Sequence, residues 1–232
     1  MPADRFFLNS DLKAKAIVLL EGQEHHHLAH VMRFNEGEVV ELVNGRGDLA
    51  TGKIGEIGKK NVAIELESVS RKEEISSRIY LGVPFMRPSK LEWIVEKGTE
   101  LGVSAFLFYP AKYSEKIDIS SRSLERLHLL AIAAIKQSGR LYLPTLEILP
   151  DLESLFIKEA LFLFGDIRSS VRIDGSSLKT TSIAFISGPE KGFAEEELNR
   201  LDQKAQGVRL NPYILRAETA PIAAASILGM AL

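Results

Sequence analysis

Arg216, Glu218 and Thr219 fall within four residues of one another, in the stretch Tyr213-Ile214-Leu215-Arg216-Ala217-Glu218-Thr219-Ala220-Pro221. A guanidinium can hold negative charge developing on an oxygen, and a carboxylate can take up a proton. The stretch reads as the end of a short strand, a tight corner, and then a helix running to Leu232 that is almost wholly apolar. Polar groups of three kinds beside a buried helix N-terminus are hard to explain by packing. The plainer reading makes Thr219 an N-cap, Glu218 a partner of the helix dipole and Arg216 half of an ion pair.

A second candidate is the loop Ser187-Gly188-Pro189-Glu190-Lys191-Gly192-Phe193, which opens a helix at Glu195-Glu196-Glu197-Leu198. Three carboxylates in a first helical turn complement the dipole and repel a phosphate. The Lys-Ser/Thr pair of a phosphate-binding loop is missing, as is G-x-G-x-x-G. The loop therefore suits a nucleotide-like ligand without phosphates, held by backbone groups, or else a tight turn closed by Gly192. A third candidate is His26 and His30, four apart on one helical face. Without an intervening glutamate or a nearby acidic cluster, a short helix lying on a sheet, with Leu28, Val31 and Met32 inward, is preferred to a metal site.

These residues need elements to position them. Residues 1–72 read as β-rich: 39–43 runs into Asn44-Gly45, a hairpin signal with both turn residues at positive φ, with a return strand at 49–54 and an alternating strand at 61–66. Short strands with glycine-rich turns predict a small barrel. The polar stretch 68–77 predicts a linker. Beyond it, strands at 79–83, 105–109, 160–164, 182–186 and 208–210 alternate with helical patterns, one capped by Ser89 and stopped by Gly102, another over 122–138 stopped by Gly139. The strands are apolar on both faces, which predicts a buried parallel sheet in an α/β fold. Ligands in such sheets bind beyond the strand carboxyl ends, which selects the loops at Gly165-Asp166, 187–193 and Asn211-Pro212-Tyr213.

Composition bounds the function. Hydrophobic residues make up 45% of the 232-residue chain, enough for a core. Without cysteine there are no disulfides, thiolate metal sites or cysteine nucleophiles, which fits a reducing compartment. Met1-Pro2-Ala3-Asp4-Arg5 lacks the order of a signal peptide, and no apolar run reaches the ~20 residues of a membrane span, so a soluble cytoplasmic protein is expected. Net charge is −2, but residues 78–144 hold 10 Lys and Arg against 6 Asp and Glu. Such a local basic face can meet a phosphate backbone on an otherwise acidic protein.

Taken together the motifs resemble those of the SPOUT-superfamily methyltransferases that modify N3 of a uridine in 16S ribosomal RNA. Gly188-Pro189-Glu190-Lys191-Gly192-Phe193 followed by Glu197 is similar to GPEGGF...E. The stretch 214–220 is similar to RILRAETA, 96–103 to QKATELGV, and Lys136-Gln137-Ser138-Gly139-Arg140 with Pro144 to EQSGR...P. His27 through Arg33 and Gly37 are similar to an N-terminal H...VLR...G pattern. The resemblance covers nearly the whole chain, in order. It implies a PUA-like β-barrel over 1–72 that helps hold RNA. Over 73–232 it implies a SPOUT domain, an α/β fold with a parallel sheet and a deep trefoil knot, binding S-adenosylmethionine. It also implies a homodimer, and the 16S rRNA of the small ribosomal subunit as partner. The cofactor-binding role falls on Gly165, Gly188, Gly192, Leu210, Ile214, Leu215 and Thr219.

For methyl transfer to a uracil nitrogen, Arg140 and Arg216 are candidates to stabilise charge on the carbonyl oxygens, and Glu190 or Glu218 to accept the proton or orient an arginine. Phosphate contacts are expected from Arg87, Lys90, Lys112, Lys116 and Arg122, with Arg33 on the barrel. No metal is expected. The chain departs from the pattern at Lys191, which stands for the second glycine of GPEGG; a left-handed backbone there costs lysine about 1 kcal/mol. It departs again at Asn211-Pro212-Tyr213, where the family usually has Gly-x-Arg, and at Ala194, where a serine often caps. These departures keep two other readings open: an RNA-binding ribosome-assembly factor that has lost methyl transfer, and a SPOUT methyltransferase with another RNA target.

Overall fold

The computed structural model describes residues 4–157, 159–173 and 182–230. The chain divides into two compact units, Met1–Glu74 with Ile135–Leu143, and Ile75–Ala134 with Pro144–Leu232.

The first unit is a five-stranded sheet in the order β1-β3-β4-β5-β2, built from β1 (Arg5–Phe7), β2 (Ile17–Glu21), β3 (Val39–Val43), β4 (Asp48–Ile57) and β5 (Asn61–Arg71). It curls around one core in which the alternating Val62, Ile64 and Leu66 of β5 meet Val40 and Leu42 of β3 and Leu20 of β2. A side chain at Gly52 would put its Cβ 2.6 Å from the Ile64 Cγ2, so the close approach of β4 to β5 requires glycine there. Among the described residues β1 and β2 are edge strands, each paired on one side only, and the expected barrel is thus a curled, half-barrel sheet.

Several local expectations are corrected. The β3–β4 turn is longer than a two-residue hairpin: β4 begins at Asp48, Gly45 and Gly47 take positive φ, and Asn44 does not. Asn44 instead uses its side chain, accepting from the Arg46 N–H at 2.9 Å and donating to Asp48 at 2.7 Å. β5 continues to Arg71 because it stays paired with β4 as far as Asp48, which shortens the linker expected over 68–77. After α1 (Gly22–His26) the chain widens into a π turn over His27–Met32, ended by Arg33 at φ 57°. The wider turn rotates the apolar face: Leu28 is buried, while Val31 and Met32 are exposed.

The second unit is a six-stranded sheet, parallel throughout, in the order β11-β9-β10-β6-β7-β8. Its strands are β6 (Arg78–Pro84), β7 (Ala105–Tyr109), β8 (Thr145–Ile148), β9 (Leu161–Gly165), β10 (Ser182–Ile186) and β11 (Gln206–Val208). Every residue of β7 is buried, as strands covered on both faces should be. α2 (Pro88–Glu100) buries Leu91, Ile94 and Val95 and starts on Pro88 at the first turn, not on a Ser89 cap. α3 (Ser121–Ser138) ends where Gly139 takes φ 82°. α4 (Glu195–Lys204) follows β10, and α5 (Thr219–Gly229) packs on α2, β6 and β10. The expected end of α5, Ala231 and Leu232, lies outside the described residues.

Candidate active site

β11, β9 and β10 are neighbours in the sheet, so the segments leaving their carboxyl ends are forced together. They enclose a cavity of about 800 Å³ within the second unit. Gly165, Asp166 and Arg168 come from the segment after β9, residues 187–193 from the loop after β10, and Leu210, Asn211 and residues 213–218 from the segment after β11. These are the three loops that the strand pattern selects.

The loop after β10 is braced from beneath. The Tyr109 hydroxyl, buried at the end of β7, donates to the Ser187 carbonyl at 2.7 Å, and the Ser187 hydroxyl donates to the Gly82 carbonyl at 3.1 Å. Burial pushes the Tyr109 phenol well above its ordinary value, with the Glu197 charge adding to it, so the hydroxyl stays a donor. Gly188 lies flat against Phe193, whose ring a Cβ there would meet at 3.0 Å. Gly192 turns the loop at φ 78°. Lys191 is not in the left-handed region, so the strain foreseen for it does not arise.

Glu197 ties this loop to the rest of the unit. One carboxylate oxygen accepts the Lys112 N–H at 2.9 Å and the other the Ala194 N–H at 2.8 Å. Ala194 has no side-chain cap to offer, and Glu197 supplies the reciprocal half of a capping box by itself. In the sequence Glu197 is only the last residue of a motif and Tyr109 one more residue of an apolar strand; their roles come from partners distant in the chain.

At the corner, the Arg216 carbonyl accepts from the Thr219 and Ala220 N–H groups at 2.9 and 3.0 Å. The chain therefore already turns helically at Glu218, and Thr219 is the first residue of α5, exposed and without a capping bond. Thr219 lies outside the cavity lining, whereas Arg216, Glu218, Ile214 and Leu215 are in it. Among the described residues, the Glu218 Oε2 is a buried polar atom without a hydrogen-bond partner. Glu190 also lines the cavity and pairs with Lys90, which in turn donates to Glu115 at 3.1 Å. Burial disfavours the Glu115 charge, but the Lys90 side chain and the Arg87 N–H more than offset it and hold the carboxyl below its usual range.

Arg168 clasps Asp166 through Nε and Nη2, the latter at 2.8 Å, and this bonding holds the Asp166 carboxyl below its usual range. Two of the cations in the lining, Lys90 and Arg168, are thus matched by carboxylates, and glycines and apolar residues make up much of the rest of it.

Arg140 is not part of the lining; it belongs to the first unit. There the segment 135–143 is pinned by Lys136 to Glu24 at 2.6 Å, by the Gly47 N–H to the Leu141 carbonyl at 3.0 Å, and by the Tyr142 hydroxyl to the Lys72 carbonyl at 2.8 Å. Burial pushes the Arg140 guanidinium down to about 10, with the Glu74 charge opposing the shift. Of the expected phosphate contacts, Lys90 is a cavity residue held between two carboxylates, Arg87 pairs with Glu115 at 3.1 Å and Lys112 with Glu196 at 3.5 Å. Lys116 and Arg122 are exposed, as is Arg33 in the first unit. The His26 and His30 rings lie 5.1 Å apart, yet among the described residues no group of three or more potential ligands could hold a metal ion. No described helix is long and apolar enough to cross a membrane.

Comparison with known proteins gives this geometry its setting. Residues 73–229 match the family model described as an RNA methyltransferase domain, and residues 20–67 match an RNA methyltransferase PUA domain. The chain is 32% identical over 223 residues to the ribosomal RNA small subunit methyltransferase E of Bacillus subtilis, covering 89% of this chain and 87% of that one. It superposes on a methyltransferase of Legionella pneumophila solved with bound SAM, at TM-score 0.90 and 25% identity over 100% and 98% of the two chains. A ribosomal RNA small subunit methyltransferase E of Neisseria gonorrhoeae, bound to S-adenosyl methionine, gives TM-score 0.87 and 26% identity over 97% and 95%. A parallel sheet with its cavity beyond adjacent strand ends, a curled sheet matched by the PUA model and the order of the motifs all agree: the chain belongs to the RNA methyltransferase family and pairs that domain with a PUA domain.

Proposed function

We propose that this protein methylates N3 of a uridine in the 16S rRNA of the small ribosomal subunit, with S-adenosylmethionine as methyl donor. The observation that carries the reading is the cavity beyond β9, β10 and β11, whose lining gathers Glu190, Arg216 and Glu218 with glycines and apolar residues. Its residues fit that donor. The cofactor has no phosphate, and α4 begins with three carboxylates that a phosphate would meet unfavourably. Gly188 leaves a flat cradle against Phe193, and the Glu218 Oε2 has an unmet acceptor for a ligand donor. Gly165, Gly188, Gly192, Leu210, Ile214 and Leu215 would hold it, chiefly through backbone. Bound there, it supplies an electrophilic methyl group on a sulfonium.

The protein's own work is orientation and proton handling. A uracil nitrogen is a poor nucleophile until its proton leaves, and Glu218 or Glu190 takes that proton. Arg216 meets the charge that then develops on the carbonyl oxygens. Exposed Lys116, Arg122 and Arg33 serve the phosphate backbone. The reading includes a trefoil-knotted second domain from residue 73, a PUA-like domain before residue 73, a homodimer and a cytoplasmic setting. The alternative of an assembly factor without methyl transfer loses one of its supports, because Lys191 does not occupy a left-handed position.

The test is incubation of the purified protein with S-adenosylmethionine and small-subunit rRNA or subunits lacking the modification, followed by mass-spectrometric mapping. A single N3-methyluridine in 16S rRNA is expected. Methylation of a different RNA would leave the family intact and replace the substrate; cofactor binding without any methylated RNA would sink the enzymatic reading.

A further inference from the structure

Two large apolar side chains stand on the rim of the cavity without being packed. Tyr213 is 82% exposed and Ile214 78%, and both line the cavity. Scattered exposed hydrophobics need no explanation, but two adjacent ones at a ligand site do. Ile214 already belongs to the residues proposed to hold the cofactor; Tyr213 does not, and its ring contributes little burial to the fold.

The segment that carries them is stiffened. The Arg209 side chain spans it, donating from Nε to the Asn211 carbonyl at 3.3 Å and from Nη2 to the Pro212 carbonyl at 2.8 Å. The Tyr213 N–H donates back to the Asn211 Oδ1 at 3.0 Å, and Pro212 has a fixed φ. With its backbone held this way, Tyr213 has only its own side-chain torsions left to fix when something lies on its ring.

The neighbourhood selects what that is. Arg209, the nearest cation in sequence before the ring, is committed to the loop's own carbonyls. Tyr213 therefore offers a flat uncharged face, next in line to the polar corner of Arg216 and Glu218. A phosphate gains nothing from such a face, whereas a nucleobase does. An enzyme acting on a base must take it out of its stack, and the lost stacking has to be replaced in the site.

We infer that Tyr213 is the platform on which the extruded pyrimidine of the RNA substrate stacks. The inference rests on the methyl-transfer reading above and adds the residue that captures the base.

The experiment compares wild type with Tyr213→Ala and Tyr213→Phe in three measurements. These are binding of the small-subunit rRNA in the presence of S-adenosylhomocysteine, steady-state methylation, and calorimetric affinity for S-adenosylhomocysteine alone. Loss of the ring should weaken RNA binding and raise the RNA KM about five- to hundredfold, with kcat at saturating RNA changed far less. Cofactor affinity should stay within about twofold, and phenylalanine should restore wild-type RNA binding, since stacking needs the ring and not the hydroxyl. The inference is overturned if the alanine variant binds RNA as wild type does, or if phenylalanine is as poor as alanine. A parallel loss of cofactor affinity would assign the ring to the cofactor instead, and a shift to a smaller species in light scattering would assign it to an interface between copies. RNA binding without methylation would sink the proposed reaction alone, because the binding series still tests the platform; absence of RNA binding by wild type would sink both.

Discussion

Glu218 sits at the first turn of α5 with one carboxylate oxygen buried and lacking a partner among the described residues. A buried acceptor in that state is costly to the fold, on the order of 1–3 kcal/mol, and such a cost is repaid by a ligand donor. Glu218→Gln keeps the shape and removes the basic oxygen. Single-turnover methylation at saturating cofactor should slow by about 10²- to 10⁴-fold; an unchanged rate would pass the proton to Glu190. Lys191 makes the opposite case. Its backbone is outside the left-handed region and its side chain is exposed, so Lys191→Gly relieves no strain. Thermal unfolding should show no gain, and a loss of up to about 1 kcal/mol from the freer unfolded chain. A clear stabilisation would mean that the loop is strained after all.

At the scale of elements, the β10–α4 loop is held by a few bonds whose partners, Ser187 apart, lie outside the cavity lining. Tyr109 and Ser187 fix its start, and Glu197 ties its end to the Lys112 N–H and the Ala194 N–H. Removing the Glu197 carboxylate orphans two backbone donors at once. Glu197→Ala should therefore cost about 2–4 kcal/mol of unfolding free energy and weaken cofactor binding, as read by denaturant titration and calorimetry. Stability unchanged within about 0.5 kcal/mol would show that water satisfies both donors.

For the molecule as a whole, carboxylates held below their ordinary range contribute an acid-side loss of stability. Glu115 and Asp166 ionise more readily folded than unfolded. The unfolded chain therefore binds more protons between the two values, and stability rises with pH there. Their contribution is complete above the ordinary carboxylate range near pH 4 and is lost as pH falls through their lower folded values. Melting temperature should fall steeply below about pH 4, and Glu115→Gln should flatten that fall while lowering the plateau at neutral pH. An equally steep profile in the variant would place the acid sensitivity elsewhere.

Much of this was legible in the residue order. The strands apolar on both faces, the glycines that stop α2 and α3, and the three loops that line the cavity follow from periodicity and from residues such as Gly102 and Gly139, because hydrophobic patterning and left-handed positions are local properties. The motif Gly188 to Phe193 with Glu197 carried the family in the same way. Only the tertiary structure decided which polar groups share a cavity. Arg140 reads from sequence as a companion of Arg216, yet it is anchored in the unit of the curled sheet through Lys136–Glu24 and Tyr142. Lys90 reads as a phosphate contact and is instead held between Glu115 and Glu190, neither of which is near it in the chain. Thr219 reads as a cap, but a backbone turn already begun at Arg216 takes that position from it. Each of these depends on partners distant in sequence or on a backbone angle set by packing, and no residue type or spacing encodes either alone.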